Sequence, residues 1–443
     1  MSLVERDLAS VWHPASHFAD HERLPPVPVT SAKGVYLEAA GGRRLIDGIS
    51  SWWTCLHGHG HPAIVEAITT QAQRLDHVML AGFTHEPAVQ LAEGLLDCAP
   101  GDYARVFYAD CGSAAIEVAM KMSFQRRRQT GEPGRQRFAA LRNSYHGETL
   151  GALGVSGTDA YRELFAPLLP DVLYLPAPAF EGHTHADLQT DLGADSPEAD
   201  EAVRLLRAHA DELTALVMEP LVQGAGKMAM PGAGFYRRLV REAQSLGIHV
   251  IADEIAVAFG RTGSLFASTW ADVSPDLLCL SKGLSGGVLP LSCVLVQQGF
   301  DDAFKGGPER SFLHSHTFTG NPIACAAGTA SLKLMHAERL PSLAACVDAM
   351  TAARERVAGT CAAVVRAHRQ AGMIVAFDLD PGDRMPADGR LSLAIREAGI
   401  RAGALLRPLH DTLYWMPPLA ISDGELDALA DATIEALTAV LGD

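Results

Sequence analysis

The stretch PDLLCLSKGLSGG, residues 275–287, ends a short apolar run at Lys282. Leu277, Leu278 and Leu280 read as a buried strand between turn formers. An unpaired buried ammonium costs on the order of several kcal/mol, so Lys282 needs a partner or a way to lose its charge. Three further stretches put reactive groups at the ends of expected strands. VIADEIAVAFGRTG (250–263) carries Asp253 just after a strongly apolar run, where open α/β sheets bind their ligands. YADCGSAAIEVAMKM (108–122) runs from strand through Gly112 and Ser113 into a helix. A glycine allows close backbone approach, and the first free amides with a serine hydroxyl form an anion cradle. SYHGETLGAL (144–153) offers Tyr145 and His146 ahead of small residues, and an aromatic face there can cover a flat ring. Each alone has an ordinary explanation: a capping carboxylate, a helix cap, a core tyrosine.

Taken together, an amine, a carboxylate, an anion cradle and an aromatic plate are the parts that hold pyridoxal 5′-phosphate. Its aldehyde condenses with a lysine, and its pyridine nitrogen takes a carboxylate partner. Lys282 is then neutralised as a Schiff base, and displacement by substrate leaves it an amine able to move protons.

The ordered series GS, YHG, DEIAVAFGRTG, SKGLSGG and HTFTGNP is similar to the class III aminotransferases over nearly the whole chain. The resemblance implies the type I fold of pyridoxal-phosphate-dependent transferases: an α/β large domain with a mostly parallel seven-stranded sheet, and a smaller α+β domain. It implies Lys282 as the cofactor-linked amine, Asp253 beneath the pyridine nitrogen, and Gly112 and Ser113 at the phosphate. Tyr145 and His146 then lie against the ring. Thr317 of HTFTGNP would reach the phosphate of a neighbouring subunit, so a homodimer with shared active sites is expected.

Within the family, VWHP (11–14), GISSWWTCLHGHGHP (48–62), HVMLAGFTHEPA (77–88), EPLVQGAG (219–226) and LLRPLHDTLYWMPP (405–418) are most like the branch that works in biotin biosynthesis. Trp52 and Trp53 can wall a pocket for an aliphatic chain, and Arg407 can grip a remote carboxylate bidentately. The chain departs from the family pattern at Ala15, where tyrosine is usual, at Cys111, at Val257 and Ala258, and at His316. These changes leave the cofactor residues intact. A class III enzyme for an ω-amino acid or a diamine would share those residues and differ around Trp52, Trp53 and Arg407. A silent pyridoxal-phosphate-binding protein is the more distant alternative.

The elements that must position these groups follow from periodicity. RVFYAD (105–110), RFAAL (137–141), DVLYL (171–175), ALVMEP (215–220), HVIADE (249–254), LLCLS (277–281) and LSCVLV (291–296) read as strands. Helices fit between them at 113–128, 200–212 and 234–247. A long helix is expected from 322 to about 337. GMIVAFDL and TLYWMPPLAI then read as strands, and the tail from Ser422 as an amphipathic helix with capping-box spacing to Glu425. The expected division is a large cofactor-binding domain over 61–330, a small α+β domain over 331–443, and a segment 1–60 packed with the small domain. Residues 178–200 read as a polar surface loop.

Composition narrows the classes further. The 443 residues are 48% hydrophobic and 20% charged, with a net charge of −16, which fits a globular enzyme and repels nucleic acid and anionic membranes. Eight cysteines show no C-x-x-C pair and read as reduced core residues. No secretory signal and no apolar run of roughly 18 residues is visible, which points to the cytoplasm. His57, His59 and His61 alternate in HGHGH without the carboxylate or thiol partners of a metal site, so no metal is expected. QGAGKM lacks the spacing of a phosphate-binding P-loop.

Overall fold

A computed structural model describes residues 1–442. Its centre is a seven-stranded sheet in the order Tyr103–Ala109, Ser292–Gln297, Leu277–Leu280, His249–Asp253, Leu213–Met218, Arg137–Leu141 and Val172–Leu175. Six strands run in one direction, and Ser292–Gln297 alone is antiparallel to both its neighbours. All seven expected strands are present. Their continuous apolar character reflects burial on both faces. Helix Gly112–Gln129 covers one face through Ala115, Ile116, Val118 and Ala119. Helices Pro197–Ala208 and Ala233–Ser245 cover the other through Val203, Leu206, Phe235 and Leu239.

Beyond the sheet, helix Pro322–Leu334 passes through a π turn at Met335–Arg339 into helix Leu340–Thr360. A three-stranded antiparallel sheet follows, Val365–Ala371, Ile374–Leu379 and Thr412–Trp415. The tail helix Asp423–Leu441 packs Leu426, Leu429 and Leu437 into the same core as Phe377 and Trp415. Glu425 accepts hydrogen bonds from the Ser422 backbone N–H and hydroxyl, so the capping box does form.

Two regions depart from the sequence reading. Near the N-terminus, strands Val29–Lys33, Tyr36–Ala39 and Arg43–Asp47 form an antiparallel sheet, and Ala404–Leu405 joins it parallel to the third. These strands are short and half-exposed, and so lack a strong alternation. Residues 178–200 are also more than a surface loop. Thr184 opens a 3₁₀ turn at His185–Gln189, Leu188 and His183 are buried, and Ser196 caps the helix that starts at Pro197. Buried Pro178, Leu188 and Ala199 dock the segment, and apolar residues so widely spaced leave no period to detect.

Arg261, in the FGRTG turn, holds distant segments together. Its guanidinium is buried and donates to the carbonyls of Trp53, Cys55, Met416 and Pro417. Burial lowers its pKa only to about 10, so it stays charged at neutral pH and these bonds are charge-assisted. Arg261→Met should lose about 3 kcal/mol or more, because the carbonyls of Trp53, Cys55 and Pro417 lose this donor and Met416 keeps only the Ser50 hydroxyl. A urea midpoint indistinguishable from that of the wild type would contradict this role.

Candidate active site

Sheet register brings the reactive groups to one edge. Met218 pairs with Ala252 and Asp253 with Cys279, so Glu219, Asp253 and the segment leading to Lys282 emerge side by side at the strands' carboxyl ends. Lys282 stands in the left-handed region at φ 42°, at the start of the 3₁₀ turn Lys282–Ser285. Its Nζ lies 4.7 Å from the centre of the Trp53 ring and faces a cavity of about 1340 Å³. No hydrogen bond or ion pair holds that amine among the described residues. Burial lowers its pKa, against the opposing pull of Asp253 and then Glu219. The shift is toward the neutral amine that a nucleophile needs.

Asp253 is almost fully buried. Its Oδ1 accepts from the Ile255 backbone N–H at 3.1 Å, and its Oδ2 from His146 Nδ1 at 2.7 Å. The other ring nitrogen of His146, Nε2, is buried without a partner. Glu219 was not singled out as a site residue in the sequence. It accepts from the backbone N–H groups of Tyr145 at 3.0 Å and Gly224 at 2.9 Å, and burial raises its pKa to about 7. The glutamate of EPLVQGAG was visible as a lone acid after an apolar strand, but its bonds come from residues 74 positions earlier and 5 positions later.

The anion cradle is open. Cys111 caps helix Gly112–Gln129 without a side-chain bond, and the Ser113 hydroxyl accepts the Glu148 N–H at 3.3 Å. Gly147 sits so close that a Cβ there would lie 2.0 Å from Ser113 Oγ, which is why YHG needs its glycine. The Tyr145 hydroxyl donates to Glu148 at 2.9 Å, and its ring packs 5.2 Å from that of Tyr161. Ser113, Tyr145 and Lys282 line the cavity together with Trp52, Trp53 and Arg407. Thr317 is exposed and lies outside that lining.

The two tryptophans are presented by an unusual backbone. Ser50, Ser51, Trp52 and Trp53 all have positive φ, at 50°, 46°, 75° and 71°, a left-handed turn that costs about 1–2 kcal/mol per residue. Asp47 holds it: the buried carboxylate accepts from the Ser51 N–H at 2.9 Å, the Ser51 hydroxyl at 2.7 Å and His59 at 2.9 Å. Ser50 donates to the Met416 carbonyl, and Trp53 Nε1 to the Tyr414 hydroxyl. Trp53 is thereby buried, whereas Trp52 stays 42% exposed and lies under the Arg407 guanidinium at 4.6 Å. The alternating histidines of HGHGH go separate ways: His57 bonds Ser331, His59 bonds Asp47, and His61 lies 3.9 Å from Glu338.

The arrangement suits pyridoxal 5′-phosphate on the structure's own terms. The Lys282 amine, the Tyr145 ring and Ser113 at the start of its helix line one cavity, while Gly112, Asp253 and His146 lie outside that lining, the buried Asp253 carboxylate held by His146 Nδ1. Comparison with known proteins agrees. Residues 17–437 match the model of the family described as Aminotransferase class-III. The chain is 38% identical, over all of its own length and 98% of the relative's, to an adenosylmethionine-8-amino-7-oxononanoate aminotransferase of Geobacter sulfurreducens. It is 39% identical to the protein of that name from Synechococcus elongatus, over 96% of this chain and 98% of that one. Among solved structures, adenosylmethionine-8-amino-7-oxononanoate aminotransferase from Methanocaldococcus jannaschii superposes with a TM-score of 0.91 at 28% identity, covering 99% of both chains. An amine transaminase from an uncultivated Pseudomonas species, solved with pyridoxal 5′-phosphate bound, gives 0.87 at 31% identity over 97% of this chain and 99% of that one. The chain belongs to the class III aminotransferases, and pyridoxal 5′-phosphate is its cofactor.

The Asp47–His59 pair makes the tryptophan turn pH-dependent. The bond to Asp47 raises the His59 pKa from 6.5 to about 10. A histidine whose pKa is higher in the folded state contributes stability that is complete below pH 6.5 and fades as pH rises toward 10. Relative to wild type, His59→Gln should therefore lower the melting temperature near pH 6 and converge with it by about pH 10. A stability gap that is constant across this range would contradict the ion pair.

Proposed function

We propose that this enzyme transfers an amino group to 8-amino-7-oxononanoate to give 7,8-diaminononanoate, with S-adenosylmethionine as donor, in biotin biosynthesis. The reading is supported by full-length similarity to relatives that bear that name. The single structural observation that carries it is Arg407, stacked on Trp52 in the cavity that Lys282 faces. A fixed guanidinium beside an aromatic wall suits an acceptor with an aliphatic chain and a terminal carboxylate.

When bound, pyridoxal 5′-phosphate supplies an aldehyde for the incoming amine and an electron sink for the carbon that loses a proton. In this reading Lys282 is the residue that links to it and, once displaced, the base that moves a proton at the substrate carbon. Asp253, fixed by His146 and the Ile255 amide, would be the carboxylate that partners the pyridine nitrogen. Gly112 and Ser113 take the phosphate at the helix N-terminus. Tyr145 covers the ring, and Trp53 closes the pocket beside Lys282, excluding water from the reacting carbon.

The active unit in this reading is a cytoplasmic homodimer. Thr317 completes the phosphate site of the other subunit. Supporting this, Thr317 is flanked by Leu313 and Phe318, apolar side chains that are 88% and 61% exposed, as a surface made for a second copy would be.

The purified enzyme should convert 8-amino-7-oxononanoate to the diamine with S-adenosylmethionine, and lysine as donor provides the comparison arm. Arg407→Ala should raise KM for the acceptor by about 100-fold, the worth of a charge-assisted pair, while cofactor binding is unchanged. No diamine with either donor, alongside turnover of simple amines, would favour the amine transaminases over this assignment.

A further inference from the structure

Arg396 lines the same end of the cavity as Arg407, together with Ala15, Ser16, His21 and Arg390. It lies on helix Leu391–Ala402, is half-buried, and has its Nε shielded from solvent with no partner. No hydrogen bond or ion pair engages its guanidinium among the described residues. The acids around it are already taken. Asp20 accepts from Arg390 at 2.6 Å, Asp388 from Arg23 at 2.5 Å, and Glu397 from Arg23 and Arg401 at 3.1 Å and 2.7 Å. Burial lowers the Arg396 pKa, the charge of Arg407 on the same cavity wall adds to the effect, and Asp20 opposes it.

Arg407 is oriented and Arg396 is not. One Arg407 amine donates to the Ala15 carbonyl at 3.0 Å, and its plane stacks on Trp52. Two half-buried arginines lining one cavity, one fixed and one spare, form a site that an incoming anion relieves. A surface arginine would instead be solvated along its whole fork. We propose that Arg396 is a second carboxylate-binding residue, so that the terminal carboxylate of the acceptor is held between the guanidiniums of Arg396 and Arg407. This deepens the acceptor assignment above and rests on it. The site's consequence is selectivity: with two cations at its far end, the pocket discriminates strongly against chains that end in a neutral group.

The test separates carboxylate binding from acceptor identity by using nonanoate and its methyl ester as non-reacting probes with the holoenzyme. Calorimetry should show that wild type binds nonanoate well and the ester poorly. Arg396→Gln should weaken nonanoate about 10- to 100-fold, the usual range for one charge-assisted bond, and leave the ester unchanged. Arg396→Lys should recover part of the loss, and the cofactor's absorbance should be the same in all three proteins. In kinetics with 8-amino-7-oxononanoate, Arg396→Gln should raise KM with little change in kcat, because the far end of the chain is held equally in ground and transition states. Equal nonanoate binding by wild type and Arg396→Gln would overturn the proposal. Inactivity of the wild type toward 8-amino-7-oxononanoate would instead sink the acceptor assignment, with the nonanoate comparison still deciding the role of Arg396.

Discussion

An amine held in a partly dry pocket, with no hydrogen-bond partner of its own, is the feature to which the rest of this structure is fitted. Lys282 could be buried more cheaply as leucine or methionine. Its retention at the carboxyl edge of the sheet needs Asp253 and Glu219 nearby to limit the desolvation cost, and needs them bound to other donors so that neither captures the ammonium. Both conditions are met. Asp253 is occupied by His146 and a backbone amide, and Glu219 by two backbone amides. The amine is left poised over an aromatic ring and open to the cavity.

Positioning around that amine relies on strain held by buried polar contacts. Four consecutive left-handed residues carry the tryptophans, and such a turn persists only where its surroundings over-determine it. Asp47 does so from one side and the Ser50 and Trp53 bonds from the other. Arg261 adds a second layer by tying the backbone just after this turn to the 416–417 segment. Gly287 shows how tight the fit is: a Cβ there would lie 2.5 Å from the Thr54 carbonyl carbon. The turn and the lysine loop are therefore one packed unit, so the same backbone contacts place the two tryptophans and the Lys282 amine.

How much of this could be seen in the sequence depended on burial. The seven central strands were legible because each is apolar on both faces, and glycine and serine punctuation marked where strands give way to the site. Lys282, Asp253, Ser113 and Tyr145 could be picked out because each follows such a strand. The N-terminal strands were not legible, being short and half-exposed, and in 178–200 the buried Pro178, Leu188 and Ala199 are too widely spaced to leave a period. Glu219, Asp47 and His59 escaped for a different reason. Their importance lies in which groups they bond, backbone amides for Glu219 and the Ser51 amide, the Ser51 hydroxyl and each other for Asp47 and His59, and those partners are set by the left-handed turn and by loops that meet only in three dimensions. Arg396 is the extreme case. Nothing in the local sequence separates a helical arginine on the surface from one that lines a cavity together with a second arginine.

The most direct test of the account is to ask which residue carries the cofactor. Borohydride reduction of the holoenzyme, followed by proteolysis and mass spectrometry, should place the pyridoxyl phosphate mass on the peptide that contains Lys282 and on no other lysine. The Lys282→Ala protein should then take up no covalent label while retaining its fold by circular dichroism. Label on a different lysine, or undiminished labelling of the variant, would contradict the assignment of Lys282 as the amine around which the site is built.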